Sequence, residues 1–348
     1  MSHMFYYCNS LINLDIGNFN TINVEDISYM FYYCSSIQNL NLKNFETKNV
    51  KNMSHLFENC ASLKELDVSN FDTSNVIDIS GLFIDCSLLK YLDISNFNTY
   101  NVKNMSHLFE NCGSLTSIDF FKIKTKKVED FSYMFKSCSL LKGLDLAFFE
   151  TENAKDMAGM FQDCNNLQVI NVLNFDISQV TNMEKMFQNC QSINTVDISN
   201  FNTEKVENMA KMFDGCRQLY SLKFSHIKTN NVRNMSALFR SCNYLTSLDI
   251  SKLETNLVED MSYMFCDCYV NNISLTNFKT HNVKDMSYIL QNCVGLASID
   301  LSNWDKSKVT KMIQMFTNTL LIKELDFSKF NTSQLTDMYG CLNQQDIL

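Results

Sequence analysis

Cysteine returns along this chain at a fixed interval. Cys8, Cys34, Cys60, Cys86, Cys112, Cys138, Cys164, Cys190, Cys216, Cys242 and Cys268 follow one another at 26 residues. Cys293 comes after 25, and Thr319 holds the position after another 26. Of 14 cysteines, only Cys266 and Cys341 fall off this register. A constant period of this length marks a stack of identical supersecondary units, a solenoid or a propeller, because one such unit cannot bury its own apolar face. No linker or shift in composition interrupts the period. The whole of 1–348 therefore reads as a single repeat array, with a truncated first repeat and a degenerate last one from about residue 331.

The other positions keep step with the cysteines. Counting back from each Cys, Phe stands three before (Phe31, Phe57, Phe83, Phe109), Met or Leu four before, Met or Ile seven before and Val ten before. Counting forward, apolar residues stand at three, six and eight, as in Leu63, Leu66 and Val68. A Ser-Asn pair then leads to a second aromatic (Phe71, Phe97, Phe201, once Trp304), with Thr two residues on. From seven before to three after the Cys, the apolar positions run 3, 1, 3 and 3 apart, which predicts one stripe of a short helix. Asp26, Asn52, Asp78, Asn104 and Asp130 precede it as expected N-caps. The apolar-polar-apolar triplets such as "LDV" predict a short strand with one face inward. The expected fold class is an α/β solenoid of about 13 coils, each a short strand plus a short helix, stacked at about 4.8 Å.

Composition narrows the function classes. Apolar residues make up 45%, enough for a long core, and proline is absent. The net charge of −9 carries no basic stripe, which argues against nucleic acid as a partner. No run approaches the 18 apolar residues of a membrane span, so no membrane insertion is expected. No basic segment followed by a hydrophobic run opens the chain, so neither a signal peptide nor an anchor is expected.

"LxxLDxSxF" followed by "VxxMxxMFxxC" resembles the leucine-rich repeats of BspA-like surface proteins, along essentially the whole chain. The resemblance implies a leucine-rich-repeat-like right-handed superhelix, adhesion or protein binding at a cell surface, and neither catalytic residues nor cofactors. With no export signal in view, the compartment stays open.

Three columns are candidates for more than packing. The cysteines fit buried free thiols; disulfides between neighbouring coils and metal ligation are the alternatives. Seven after the Cys stand Asp67, Asp93, Asp119, Asp145, Asp197 and Asp249, flanked by inward residues and so facing out from the sheet. A row of carboxylates ~5 Å apart repels itself by about 1 kcal/mol per solvated pair. Either hydrogen bonds to the Ser two residues on offset this, or the strip is an acidic surface for a basic partner or Ca²⁺. Five before the Cys stand Tyr29, His55, His107, Tyr133, Tyr263 and Tyr288, readable as exposed interface anchors or as flank packing on the neighbouring coil. The five His lack a recurrent nucleophile or carboxylate partner, so an enzyme is not expected. Five Asn head N-x-S/T sequons (Asn52, Asn104, Asn234, Asn272, Asn331), and three of these are the cap followed by Met-Ser.

Two function classes follow. One is a non-enzymatic, adhesin-like module presenting its sheet surface to a protein or glycan. The other is a structural spacer, or a rod that self-associates end to end through unpaired strand edges.

Overall fold

The computed structural model describes residues 1–224, 227–246, 248–271, 273–305, 307–326 and 333–342. The sequons at Asn272 and Asn331, and part of the last repeat, lie outside the described residues. The chain divides into two compact units, 1–179 and 180–348.

In the first unit the repeats lie in register, joined by parallel bridges running Asp26↔Asn52↔Asp78↔Asn104↔Asp130↔Asp156. The second unit repeats the arrangement from Asn182↔Asn208 to Lys311↔Asp337. Each unit is therefore a repeat solenoid. Its strands are three residues long: β1 (Asn13–Asp15) pairs with β2 (Asn39–Asn41), and β3 (Gly143–Asp145) with β4 (Val169–Asn171), in the first unit. In the second, β5 (Thr195–Asp197) pairs with β6 (Ser221–Lys223). All three pairs are parallel, and the central residue of each strand turns inward.

The expected short helix in each coil is absent among the described residues. The segment before each Cys is instead a run of turns with left-handed residues at five before and one before the Cys, such as His55 (φ 56°) and Asn59 (φ 57°). Alternate amides consequently point in different directions. Those of Leu56, Glu58 and Cys60 bond back three residues within the coil, to Met53, His55 and Phe57. Those of Met53, His55, Phe57 and Asn59 instead cross to the carbonyls of Asp78, Ser80, Leu82 and Ile84 on the next coil. A stripe spaced 3, 1, 3 and 3 fits this ribbon as well as it fits a helix. Layer thickness decides between them. The phenylalanines three before the Cys stack ring on ring, at 5.6 Å for Phe31–Phe57 and 5.8 Å for Phe57–Phe83. A helix with its side chains is about 10 Å across, too thick for that spacing. Because so many amides are engaged, proline has almost nowhere to sit.

The expected caps are Asx turns. Asp26, Asn52 and Asp78 accept the amide two residues on, at 2.8–2.9 Å, and open the run of turns. Side chains also bind coil to coil. Thr73 Oγ1 donates to the carbonyl of Asn98 and accepts that residue's amide. Asn96 Nδ2 donates to the carbonyls of Val68, Ser69 and Phe71. Buried thiols of the 26-residue register donate to the carbonyl of the Phe in the preceding coil, as Cys112 to Phe83 and Cys242 to Phe213, both at 3.1 Å.

Candidate ligand-binding surface

Outward-facing residues on three successive coils of the first unit frame a groove of 770 Å³. Asn39 and Asn41 come from β2, Lys64, Glu65 and Asp67 from the next coil, and Tyr91 and Asp93 from the one after. The alternation of the extended segment puts them there: Val68 and Leu92 point into the core, so their neighbours point out. Tyr91 is 66% exposed, a large ring held in water beside three carboxylates.

The carboxylates are held rather than loose. Asp67 and Asp93 accept the amides of Ser69 and Ser95 at 3.0 and 2.9 Å. Hydrogen bonds from Ser69 hold the Asp67 carboxyl below the ordinary carboxylate range, outweighing desolvation and repulsion from Asp93. The Ser95 amide and hydroxyl do the same for Asp93. Asp119 and Asp145 continue the column and accept the amides of Phe121 and Ala147. In the second unit, Asp197 is held low by Ser199 and faces Lys223 Nζ at 3.2 Å, and Asp249 is held low by Ser251. Hydrogen bonding thus offsets the self-repulsion of the column. A carboxylate offers about four acceptor sites, so capacity remains for a ligand.

The aromatic row does not stand free. Tyr29 stacks on His55 at 4.7 Å, His107 on Tyr133 at 5.0 Å and Tyr263 on Tyr288 at 4.4 Å, and all six side chains are half-buried. Glycine continues the row where a ring must lie flat. A Cβ on Gly81 would come within 2.5 Å of the His55 ring, and one on Gly159 within 2.4 Å of Tyr133. Two histidines, against the expectation from sequence, have a recurrent carboxylate partner three residues on: His55 Nδ1 meets Glu58 at 2.5 Å, and His107 meets Glu110. Burial and Glu58 raise the Tyr29 hydroxyl, and burial raises that of Tyr263.

The thiols line the core. All 14 cysteines are free, and all but Cys8 are buried. Burial pushes Cys86, Cys164 and Cys293 up to about 12. Among the described residues, no three His, Cys, Asp or Glu side chains gather as a metal site, and no helix is long and apolar enough to cross a membrane.

Sequence reasoning missed two features of the surface. Tyr91 was not singled out, since it belongs to no column. Nor were Tyr6, Tyr7, Tyr32 and Tyr33, whose rings stack pairwise at 4.8 Å, although the duplicated "FYYC" at Phe5 and Phe31 was a usable signal.

The family described as "Mycoplasma protein of unknown function, DUF285" matches residues 1–67, 59–169, 139–248 and 233–347. The chain belongs to the DUF285 family. Among curated proteins nothing matches this DUF285 chain. Solved structures similar to it include a leucine-rich repeat protein from Bacteroides ovatus, at 17% identity and TM-score 0.47, covering 97% of this chain and 86% of that one. Another, from Eubacterium ventriosum, shares 13% identity at TM-score 0.41, covering 77% of each chain. A leucine-rich cell surface protein from Faecalibacterium prausnitzii shares 17% at TM-score 0.36, covering 87% of this chain and 82% of that one. At these scores the likeness assigns no function to the DUF285 chain.

Proposed function

We propose that this DUF285 chain is a non-enzymatic protein-binding module that offers the sheet surface of residues 1–179 to a basic segment of a macromolecular partner. The observation that carries the reading is the groove that Asp67, Asp93 and Glu65 line together with the exposed ring of Tyr91, three carboxylates against the one cation Lys64. Carboxylates held below their usual range stay ionised at neutral pH and favour cationic side chains. An exposed tyrosine among them adds apolar area and a ring face for Lys or Arg. The rigid stack fixes these groups before a partner arrives, which lowers the ordering cost of binding.

Selection from a displayed random-peptide library on the immobilised full chain tests this. The enriched peptides are expected to be rich in Lys and Arg. Changing Tyr91→Ala together with Asp67→Asn and Asp93→Asn is expected to weaken them at least about tenfold, some 1.4 kcal/mol. Enrichment of the same peptides, bound equally well by the triple variant, would refute the reading.

A further inference from the structure

One coil breaks the period, and a second groove opens there. Cys268 and Cys293 are 25 residues apart, one fewer than elsewhere in the regular series. The two-residue turn that follows the other register cysteines is missing after Cys268, at Tyr269 and Val270. Around this site, in the second unit, lies a furrow of 660 Å³ along the stacking direction.

Its two walls differ. Asp267, Asn292 and Asn318, each one residue before its Cys position, form a polar wall. Asn318 Nδ2 donates to Asn292 Oδ1 at 2.8 Å, and Asn292 Nδ2 to Asp267 Oδ1 at 2.6 Å. A primary amide has two N–H donors and two acceptor lone pairs, so Asn292 keeps one of each for a ligand. Tyr269, Val294 and Leu320, each one residue after its Cys position, form the apolar lining and are 50%, 37% and 49% exposed. In the first unit the matching residues, such as Ala61, Ser87 and Gly113, are too small to build a wall. Arg217 also lines the furrow, exposed and in no ion pair among the described residues.

We propose that this furrow is a glycan-binding site that holds a linear oligosaccharide along the stack. The chemistry matches on both sides. A pyranose ring carries an apolar face, which suits Tyr269 and its aliphatic neighbours, and a rim of hydroxyls, which suits carboxamides, a carboxylate and a guanidinium. The repeat distance separates a sugar chain from a peptide. The wall residues recur once per coil, and equivalent ring centroids of neighbouring coils in this unit step by 4.4 to 6.0 Å. An extended peptide presents like side chains every second residue, roughly 6.6 Å apart. It drifts out of step within a few coils, whereas a sugar chain advances about one ring per coil.

The test is binding of the labelled full chain to an array of immobilised linear oligosaccharides, neutral and uronate-bearing. At least one glycan is expected to bind and to lose about tenfold or more in affinity on Tyr269→Ala, a change at an exposed residue that leaves unfolding unchanged. Inserting one Asn between Tyr269 and Val270 restores the 26-residue spacing and is expected to abolish binding; a thermal melt checks that this variant folds. Loss on Arg217→Ala confined to uronate-bearing spots would place a carboxylate at that end, and equal loss on neutral spots would place hydroxyls there. Either of those results supports the site. An array with no bound glycan, or binding that Tyr269→Ala leaves unchanged, overturns it, as does a peptide that competes at the furrow with higher affinity.

Discussion

The cysteine recurs because a small buried side chain with a hydrogen to donate is needed at that point. The Phe83 carbonyl already accepts the amide of Cys86 in its own coil, and the thiol of Cys112 takes its second lone pair. Thr319 shows the same need met differently, its hydroxyl donating to the Phe316 carbonyl at 2.7 Å. Thr and Val are nearly the same size, so they separate the bond from the volume. Cys112→Val is expected to be less stable than Cys112→Thr by about 1 kcal/mol, the net worth of one buried hydrogen bond, read from urea midpoints at unchanged slope. The same burial makes the thiols unreactive. Alkylation at pH 8 followed by mass spectrometry is expected to label Cys8 on the native chain and all 14 cysteines after unfolding; disulfide-linked peptides from unreduced protein would contradict this. The outward column of aspartates supplies a pH dependence. Asp67, Asp93, Asp197 and Asp249 lie below their ordinary value of 3.8 in the folded chain, so they stabilise it above that value. That contribution is lost as pH falls from about 4 through the folded values. The urea midpoint is expected to fall over that window less steeply when all four are changed to Asn.

At the scale of the coil, the decisive choice is backbone handedness, and here the sequence was only partly legible. The period, the inward face, the strand position and the column of free thiols follow directly from spacing, since each is a statement about which residues share a side. The helix did not follow, because a stripe records burial and not the direction of the amides between buried positions. The signal for left-handed residues was nonetheless present. Asn, Asp or Gly recurs one before the Cys (Asn59, Asp85, Asn111, Gly215), and Gly81 and Gly159 interrupt the row five before it. His and Tyr in that row hid the constraint, because they are placed by stacking on the next coil. The candidate groove was legible as a column of aspartates but not as a cavity, for Tyr91 depends on which three coils are neighbours. Ala237 offers a test of handedness. It is buried at φ 51°, where a left-handed conformation costs a Cβ-bearing residue about 1–2 kcal/mol and glycine almost nothing. Ala237→Gly is expected to stabilise the chain by up to about 1 kcal/mol once the extra entropy of glycine in the unfolded state is subtracted. In a helix the same change would destabilise, so the sign of the shift in melting temperature discriminates.

On the scale of the molecule, a stack in which each coil touches only its neighbours has a stability that is close to a sum over coils and interfaces. Coils in the first unit meet through the same bonds each time: the amide of one Phe to the carbonyl before the next Phe, a thiol to a carbonyl, a Thr to a backbone pair. The surfaces on either side of a coil are therefore interchangeable. Removing residues 79–104, one full period of 26, joins Asp78 to Met105 and sets Phe57 beneath Phe109 in the place of Phe83. Every ladder closes again with the same partners. This shortened chain is expected to fold, with an unchanged circular dichroism spectrum per residue and a melting temperature lowered by only a few degrees. Removing half a coil, residues 79–91, joins Asp78 to Leu92 and places a strand residue where the run of turns must begin. The Phe, Cys and Thr ladders then face the wrong partners, and buried amides and carbonyls are left unpaired, at roughly 1–3 kcal/mol each. That chain is expected to aggregate or to melt far below the parent. Equal stability of the two deletions would mean that the coils are not held in register by these ladders.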